Sequence, residues 1–169
     1  MYIKIALYWK ETNKMRELLS ILRSKELTIG SVESITGGAF ADAVTNIPGA
    51  SEVYKGSIVS YSVEEKINLL GLDSETIKEN GVVSRKVSEE MAVHGRHTLN
   101  VDVCVSVTGN AGPTAEPGAA PIGVVFMSIA LEDKVISKNY SFTGSRIEIK
   151  QQAVLVMREF LENTILENF

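Results

Sequence analysis

The segment from Val101 to Val107 is apolar and β-branched, and it encloses Cys104, the only cysteine of the chain. Such a run is typical of a strand in the middle of a sheet. Two further buried strands are predicted over 27–33 and 53–61. Because helical patterns lie between these strands, we expect a three-layer α/β/α sandwich around a mixed, mostly parallel sheet.

The spacing of apolar residues and the positions of capping residues predict helices between the strands. The predicted helices cover 13–24, 36–46, 62–70, 73–81, 84–99 and about 20 residues from Ser145. Two of them begin with the spacing of a capping box, which pairs Ser62 with Glu65 and Ser145 with Glu148.

The other predicted elements are a hairpin and an uncertain amino-terminal segment. Strands over 122–131 and 134–142 are joined at Glu132-Asp133. They must run antiparallel, which makes the sheet mixed. The first ten residues are expected either to add an edge strand or to lie loosely.

Length and charge narrow the class of protein. The 169 residues suit a single domain over 1–169, with 44% hydrophobic and 22% charged residues. A net charge of -4 argues against a nucleic-acid-binding protein. No apolar run approaches the roughly 18 residues of a membrane helix. The first ten residues lack the pattern of a signal peptide. With one cysteine, a reducing cytoplasm is the expected location.

Several kinds of chemistry are excluded by missing motifs. The chain has no GxxxxGK[ST], GxGxxG, GxSxG or HExxH sequence, and one thiol cannot build a cysteine zinc site. His94 and His97 share a helix face and are the only histidines, but no third ligand lies nearby in the sequence. We therefore expect neither a metal nor a cofactor.

Two unusual segments follow predicted strands, where α/β proteins bind ligands. They are ESITGG (33–38) and TGNAGP (108–113). In the first, small residues at a helix start would let backbone N–H groups approach a phosphate or an oxyanion. The alternatives are that Ser34 or Thr36 is only an N-cap, and that the second segment is an ordinary surface turn.

A third feature pairs Tyr61 with Lys66 across the start of a short helix. With Ser62 as the N-cap, these two positions face each other as in a hydrophobic staple. The Lys66 amine would then lie near the Tyr61 ring and hydroxyl. The alternative is that the lysine stem only packs on the ring while its amine stays in water.

Taken together, these segments resemble the CinA carboxy-terminal domain family. The resemblance covers residues 13 to about 165, and the predicted amino-terminal extension over 1–11 lies outside it. The matching motifs, in order, are SVESITGG (31–38), NIPGASEVYKGSIVSYSVEEKINLLG (46–71), GVVS (81–84), SVTGNAGP (106–113), PIG (121–123) and FTGSRIEIKQQAV (142–154).

The resemblance implies an α/β/α fold, usually homodimeric, that deamidates nicotinamide mononucleotide without a metal. It makes Ser34 the nucleophile and Lys66 and Tyr61 its activating partners. Substrate binding falls to six residues: Thr36, Gly37, Gly38, Thr108, Gly109 and Arg146. Lys66 must then be neutral, although an ordinary lysine titrates near about 10.4 and a useful base near roughly 7–8.

Two other functions stay open from the sequence. One is a non-catalytic module that binds a nucleotide or serves a competence or damage response. The other is an amidase for a different small amide. The chain also departs from the family pattern at Ile35, which replaces a common cysteine, and at Asn110, which replaces a common aliphatic residue.

Overall fold

The computed structural model describes residues 2–115 and 119–169, with side chains from residue 11 onward. The helices are α1 (Tyr2–Ser24), α2 (Ala39–Thr45), α3 (Val63–Asn68), α4 (Ser74–Asn80), α5 (Arg85–Leu99) and α6 (Arg146–Asn168). The strands are β1 (Ile29–Glu33), β2 (Tyr54–Val59), β3 (Val103–Gly109), β4 (Val124–Ala130) and β5 (Val135–Ser141). A short 3₁₀ turn, Ala50–Glu52, precedes β2.

The five strands form one mixed sheet in the order β2-β1-β3-β4-β5. Strand β1 pairs in parallel with both β2 and β3, whereas β4 runs antiparallel to β3 and β5. The carboxyl ends of β1, β2 and β3 therefore meet at one edge of the sheet. Ser34 follows β1 and Ser60 follows β2, so the topology gathers them at this edge.

Helices cover both faces of the sheet, which confirms the three-layer architecture. On one face, α1, α2 and α6 pack on β3 and β4 through residues such as Leu18, Phe40, Val105 and Met157. On the other face, α5 packs through Met91 on the opposite sides of the same strands. Alternate residues of β3 thus enter different cores, as the period of a strand requires.

The amino terminus differs from its prediction. Residues 2–24 form one continuous helix, so the expectation of an edge strand or a loose segment in the first ten residues was wrong. This stretch contains neither glycine nor proline. Nothing in it interrupts the backbone hydrogen bonds, and a helix fixed by its buried carboxyl-terminal half can extend backwards.

Several predicted boundaries move by a few residues. Strand β3 begins at Val103 and ends at Gly109, so Thr108 and Gly109 belong to the strand and not to the loop that follows. The predicted capping box at Ser145 is complete. At Ser62 only one of the two hydrogen bonds of a capping box is found among the described contacts: the Ser62 hydroxyl accepts the Glu65 N–H at 3.2 Å.

None of the helices within the described ranges combines the length and the apolar character needed to cross a membrane.

Gly95 lets α5 lie close to the sheet, and this contact can be tested. A Cβ atom at Gly95 would lie 2.2 Å from Val32 Cγ2 and 3.0 Å from Cys104 Sγ. We expect Gly95→Ala to lower the free energy of unfolding by about 1–3 kcal/mol, despite the better helix propensity of alanine. Denaturant unfolding measures this change. Thr98→Ala, at an exposed position of the same helix, serves as the control and should shift stability by less than about 0.5 kcal/mol. Equal stabilities for Gly95→Ala and the parent would contradict the close packing.

Candidate active site

A serine hydroxyl and a lysine amine meet at the edge where the parallel strands end. Ser34 follows β1 directly, and its N–H donates to the Val107 carbonyl at 3.1 Å, which holds it beside β3. Lys66 lies on α3 and is fully buried. Its Nζ lies 3.0 Å from Ser34 Oγ and 2.6 Å from the carbonyl oxygen of Ser60. The structure thus joins two residues that are 32 positions apart in the sequence.

Burial makes this lysine unusual. Loss of hydration disfavours the ammonium form and lowers the pKa of Lys66 from 10.5 to about 8. Neither hydrogen-bond partner of the amine is a carboxylate, so no ion pair opposes the shift. At pH 7 about a tenth of the molecules would carry a neutral amine, which can accept the serine proton.

Tyr61 lies near this pair but is not joined to it. Its side chain is 60% exposed, and its hydroxyl accepts a hydrogen bond from Arg146 Nη2 at 2.8 Å. The sequence predicted that the Lys66 amine would lie near the Tyr61 hydroxyl. In this structure no hydrogen bond joins these two described groups. The reason is that Lys66 turns into the protein toward Ser34, whereas Tyr61 projects toward solvent and Arg146.

A cavity of about 240 Å³ opens beside Ser34. Its described walls also include Tyr61, Thr108, Gly109 and Arg146, which brings five predicted site residues to one place. The volume lies below the roughly 300–1,000 Å³ of pockets that enclose a drug-sized ligand. A nucleotide bound here would therefore extend partly into solvent.

Thr108, Gly109 and Arg146, the other predicted site residues on this wall, are each held by close contacts. The Thr108 hydroxyl donates to the Val82 carbonyl at 3.0 Å, and Arg146 Nη1 donates to the Gly112 carbonyl at 2.6 Å. A Cβ atom at Gly109 would lie 2.9 Å from Ile35 Cδ1 and equally close to the Val124 carbonyl. Glycine is therefore required there by close packing of β3 against the turn that carries the serine.

The turn between β1 and α2 is longer than predicted. Helix α2 begins at Ala39, not at Thr36, and both Gly37 and Gly38 have positive φ values of 62° and 93°. Thr36, Gly37 and Gly38 do not line the described cavity, and their contact with substrate stays a prediction. The Thr36 hydroxyl is buried without a hydrogen-bond partner in the described part of the chain.

Glu33 explains this shift, and the sequence analysis missed it. Its buried carboxylate accepts the N–H groups of Gly38 and Phe40 at 3.0 Å and of Ala41 at 2.9 Å. These three amides at the start of α2 are therefore used by Glu33 in this structure. That an oxyanion is held by amides near the helix start or near Gly109 stays a prediction. Ile35 lines the cavity and, within the described residues, its N–H has no hydrogen-bond partner.

Two other residues were also missed. The Ser60 carbonyl orients the lysine amine, a backbone role that no side-chain pattern reveals. Asn110 accepts the Gly112 N–H at 2.9 Å and donates to the Ala120 carbonyl at 2.9 Å. It thereby ties together the two ends of the loop after β3. Its departure from the aliphatic residue common in the family was the available signal.

The histidines lie away from this cavity. His94 Nδ1 is 2.6 Å from the Leu70 carbonyl, and His97 is exposed on the same helix. Across the described ranges, no three His, Cys, Asp or Glu side chains come together in a way that could hold a metal.

The lowered pKa of Lys66 makes stability depend on pH. Below about pH 8 the amine is charged in both states, and folding bears the full cost of burying it. From pH 8 to 10.5 the unfolded chain binds more protons than the folded one, so stability rises with pH. We expect the parent to gain about 3 kcal/mol over this interval relative to Lys66→Met, by urea unfolding. A constant difference between the two proteins would show that Lys66 titrates normally.

Comparison with known proteins places the chain in a family. The model of the CinA C-terminal domain matches residues 11–165. A CinA-like protein of Flavobacterium psychrophilum is 38% identical over 149 residues, and one of Thermotoga maritima is 36% identical over 156. These matches cover 88% and 92% of this chain. The chain spans only 36% and 38% of the length of those two relatives.

Solved structures agree in fold. The competence/damage inducible protein CihA from Agrobacterium tumefaciens superimposes with a TM-score of 0.86 at 28% identity, covering 92% of this chain and 94% of that one. A competence or damage-inducible protein from Enterobacter asburiae gives a TM-score of 0.88 at 26% identity, covering 92% and 98%. From the family match and these likenesses together, the chain belongs to the CinA C-terminal domain family.

Proposed function

We propose that this chain is an amidohydrolase that converts nicotinamide mononucleotide to nicotinate mononucleotide and ammonia. The observation that carries the proposal is the 3.0 Å contact between Ser34 Oγ and the buried Lys66 amine, whose pKa is lowered to about 8. A serine needs a base to become a nucleophile, and serine–lysine pairs are known to serve this purpose. The choice of substrate rests on the family resemblance.

The first step forms an acyl-enzyme. The Ser34 oxygen attacks the carboxamide carbon while its proton passes to the neutral Lys66 amine. The Ser60 carbonyl keeps that amine pointed at the serine. The cationic pyridinium ring of the substrate, bound beside Lys66, would lower the pKa of the amine further, because like charges disfavour protonation.

The negative charge that develops on the carboxamide oxygen needs hydrogen-bond donors. The N–H of Ile35 is a candidate donor because Ile35 lines the cavity and this N–H is not otherwise used among the described residues. One donor of this kind is typically worth about 3–4 kcal/mol in the transition state.

Collapse of the tetrahedral intermediate releases ammonia. The proton held by Lys66 passes to the departing nitrogen, and the carbon–nitrogen bond breaks. Water then attacks the acyl carbon and gives up a proton to Lys66. The Ser34 oxygen leaves and takes that proton back, which restores the enzyme.

Arg146 is proposed to bind the phosphate of the nucleotide. It is the one cationic side chain on the described wall of the cavity. Guanidinium groups match phosphate oxygens with paired hydrogen bonds. Its partners here, the Tyr61 hydroxyl and the Gly112 carbonyl, are both neutral. A phosphate would therefore compete well for the guanidinium and would leave the Tyr61 hydroxyl free to turn toward Ser34.

A non-catalytic nucleotide-binding module is the alternative, and one observation favours it. The Tyr61 hydroxyl is engaged by Arg146 and does not contact the lysine. Nucleotide binding without ammonia release would support this alternative. The homodimer, the cytoplasmic location and the single-domain organisation stay predictions from the sequence.

Ammonia release from nicotinamide mononucleotide tests the nucleophile and its base. We expect Ser34→Ala and Lys66→Met each to lower kcat by at least about 1,000-fold, because each removes one member of a coupled pair. For the parent, kcat/KM should rise with pH and reach half its maximum at about pH 8, as Lys66 loses its proton.

The control for these variants is Ser51→Ala, at an exposed serine outside the described cavity wall. It should keep the parent rate. Circular dichroism checks that all three variants are folded. A folded Ser34→Ala protein with the parent rate would refute the mechanism.

A second experiment tests the role of Arg146 as the phosphate contact. We expect Arg146→Gln to lower kcat/KM for the mononucleotide by about 10- to 100-fold, which is the value of one charge-assisted hydrogen bond. Nicotinamide riboside, which lacks the phosphate, is the matched substrate and should change by less than about threefold. An equal loss on both substrates would assign Arg146 to the shape of the site instead.

A further inference from the structure

Glu33 is a buried charged residue that the proposed mechanism does not use. It has no measurable exposure, and its side chain makes four hydrogen bonds. Oε2 accepts from the N–H groups of Gly38 and Phe40, and Oε1 accepts from the Ala41 N–H and the Ser57 hydroxyl. Both oxygens act only as acceptors, which suits a carboxylate.

These contacts join three elements at one point. Glu33 is the last residue of β1, Ser57 lies on β2, and the three amides belong to the first turn of α2 or its N-cap. The first amides of a helix have no partners within the helix, so a buried helix start needs an acceptor from elsewhere. No side chain of the N-cap residue Gly38 can supply one.

The segment that Glu33 spans is the turn over residues 34–38, which begins with Ser34. Two of its residues, Gly37 and Gly38, adopt positive φ values that glycine reaches at little cost. Glycine also gives such a turn many other conformations. Its two ends are fixed, by the Ser34 N–H to the Val107 carbonyl and by the Glu33 carboxylate to α2.

We propose that Glu33 is a positioning residue: its carboxylate closes the turn over 34–38 and so holds Ser34 Oγ against the Lys66 amine. The Ile35 N–H is not among the amides that Glu33 occupies, and no partner for it is found among the described residues. This inference rests on the proposed function only in naming Ser34 as the nucleophile. It does not depend on the identity of the substrate.

The experiment uses a probe that reports Ser34 without the substrate. An alkyl fluorophosphonate reacts when the serine oxygen bonds to phosphorus, fluoride leaves, and the serine proton passes to Lys66. We expect Glu33→Gln to lower the second-order rate of labelling by at least about tenfold, since a displacement of about 1 Å can cost a hundredfold in rate. In Glu33→Gln the amide –NH₂ cannot accept, so at least one backbone N–H loses its partner.

Ser57→Ala is the matched control. It removes the one contact to Glu33 that comes from neither the turn nor α2, and labelling should stay within about twofold of the parent. Where nicotinamide mononucleotide is turned over, Glu33→Gln should lower kcat by about tenfold and change KM by less than about threefold. A residue with only a general structural role would not separate kcat from KM in this way. A folded Glu33→Gln protein that labels at the parent rate would overturn the proposal.

A second measurement needs no variant and covers the case in which Glu33→Gln does not fold. Amide hydrogen exchange of the parent should show protection at Gly38, Phe40 and Ala41 that approaches the protection of β1, together with fast exchange at Ile35. Rapid exchange at the three amides would refute the closure of the turn. A parent protein whose Ser34 fails to label, but whose three amides are protected, would refute the proposed function and leave the role of Glu33 in the turn intact.

Discussion

Burial of one lysine amine is the constraint on which this site depends. A charged amine inside a protein is costly, and the fold contains Lys66 only because its Nζ finds the Ser34 hydroxyl and the Ser60 carbonyl as partners. The same burial that lowers the free energy of unfolding also lowers the pKa of the amine to about 8. Under the proposed function, the burial that costs stability would also give the amine its reactivity, as is common at catalytic sites.

The sheet makes this contact specific. Parallel pairing of β1 with β2 and β3 carries Ser34, Ser60 and Gly109 to one edge. Each of these residues then contributes a different group: a hydroxyl, a carbonyl and a close-packed backbone. Below them, Glu33 fastens the turn to α2. The proposed chemistry would therefore draw on three strand ends, and no single motif contains it.

Much of the fold could be predicted because its signals are local. The apolar run before Thr108, the capping residue Ser84 and the capping box at Ser145 all act within a few residues, and each marks an element that the structure contains. The first helix was predicted only over 13–24, and its extension back to Tyr2 was missed because nothing in the first ten residues distinguished a helix from a strand or a loose segment. The start of α2 was misplaced because Glu33, and not Ser34 or Thr36, supplies the acceptor for its first amides.

The sequence by itself determined the order of the elements, the mixed sheet, and the family through its six motifs. It also singled out Ser34 and Lys66. Only the tertiary structure decided that the two are within hydrogen-bond distance, that the amine is buried, and that Tyr61 contacts Arg146 instead. The physical reason is that propensity and capping act between neighbours in the chain. The pKa of an amine and the partner of a hydroxyl depend on atoms that approach only after the layers have packed.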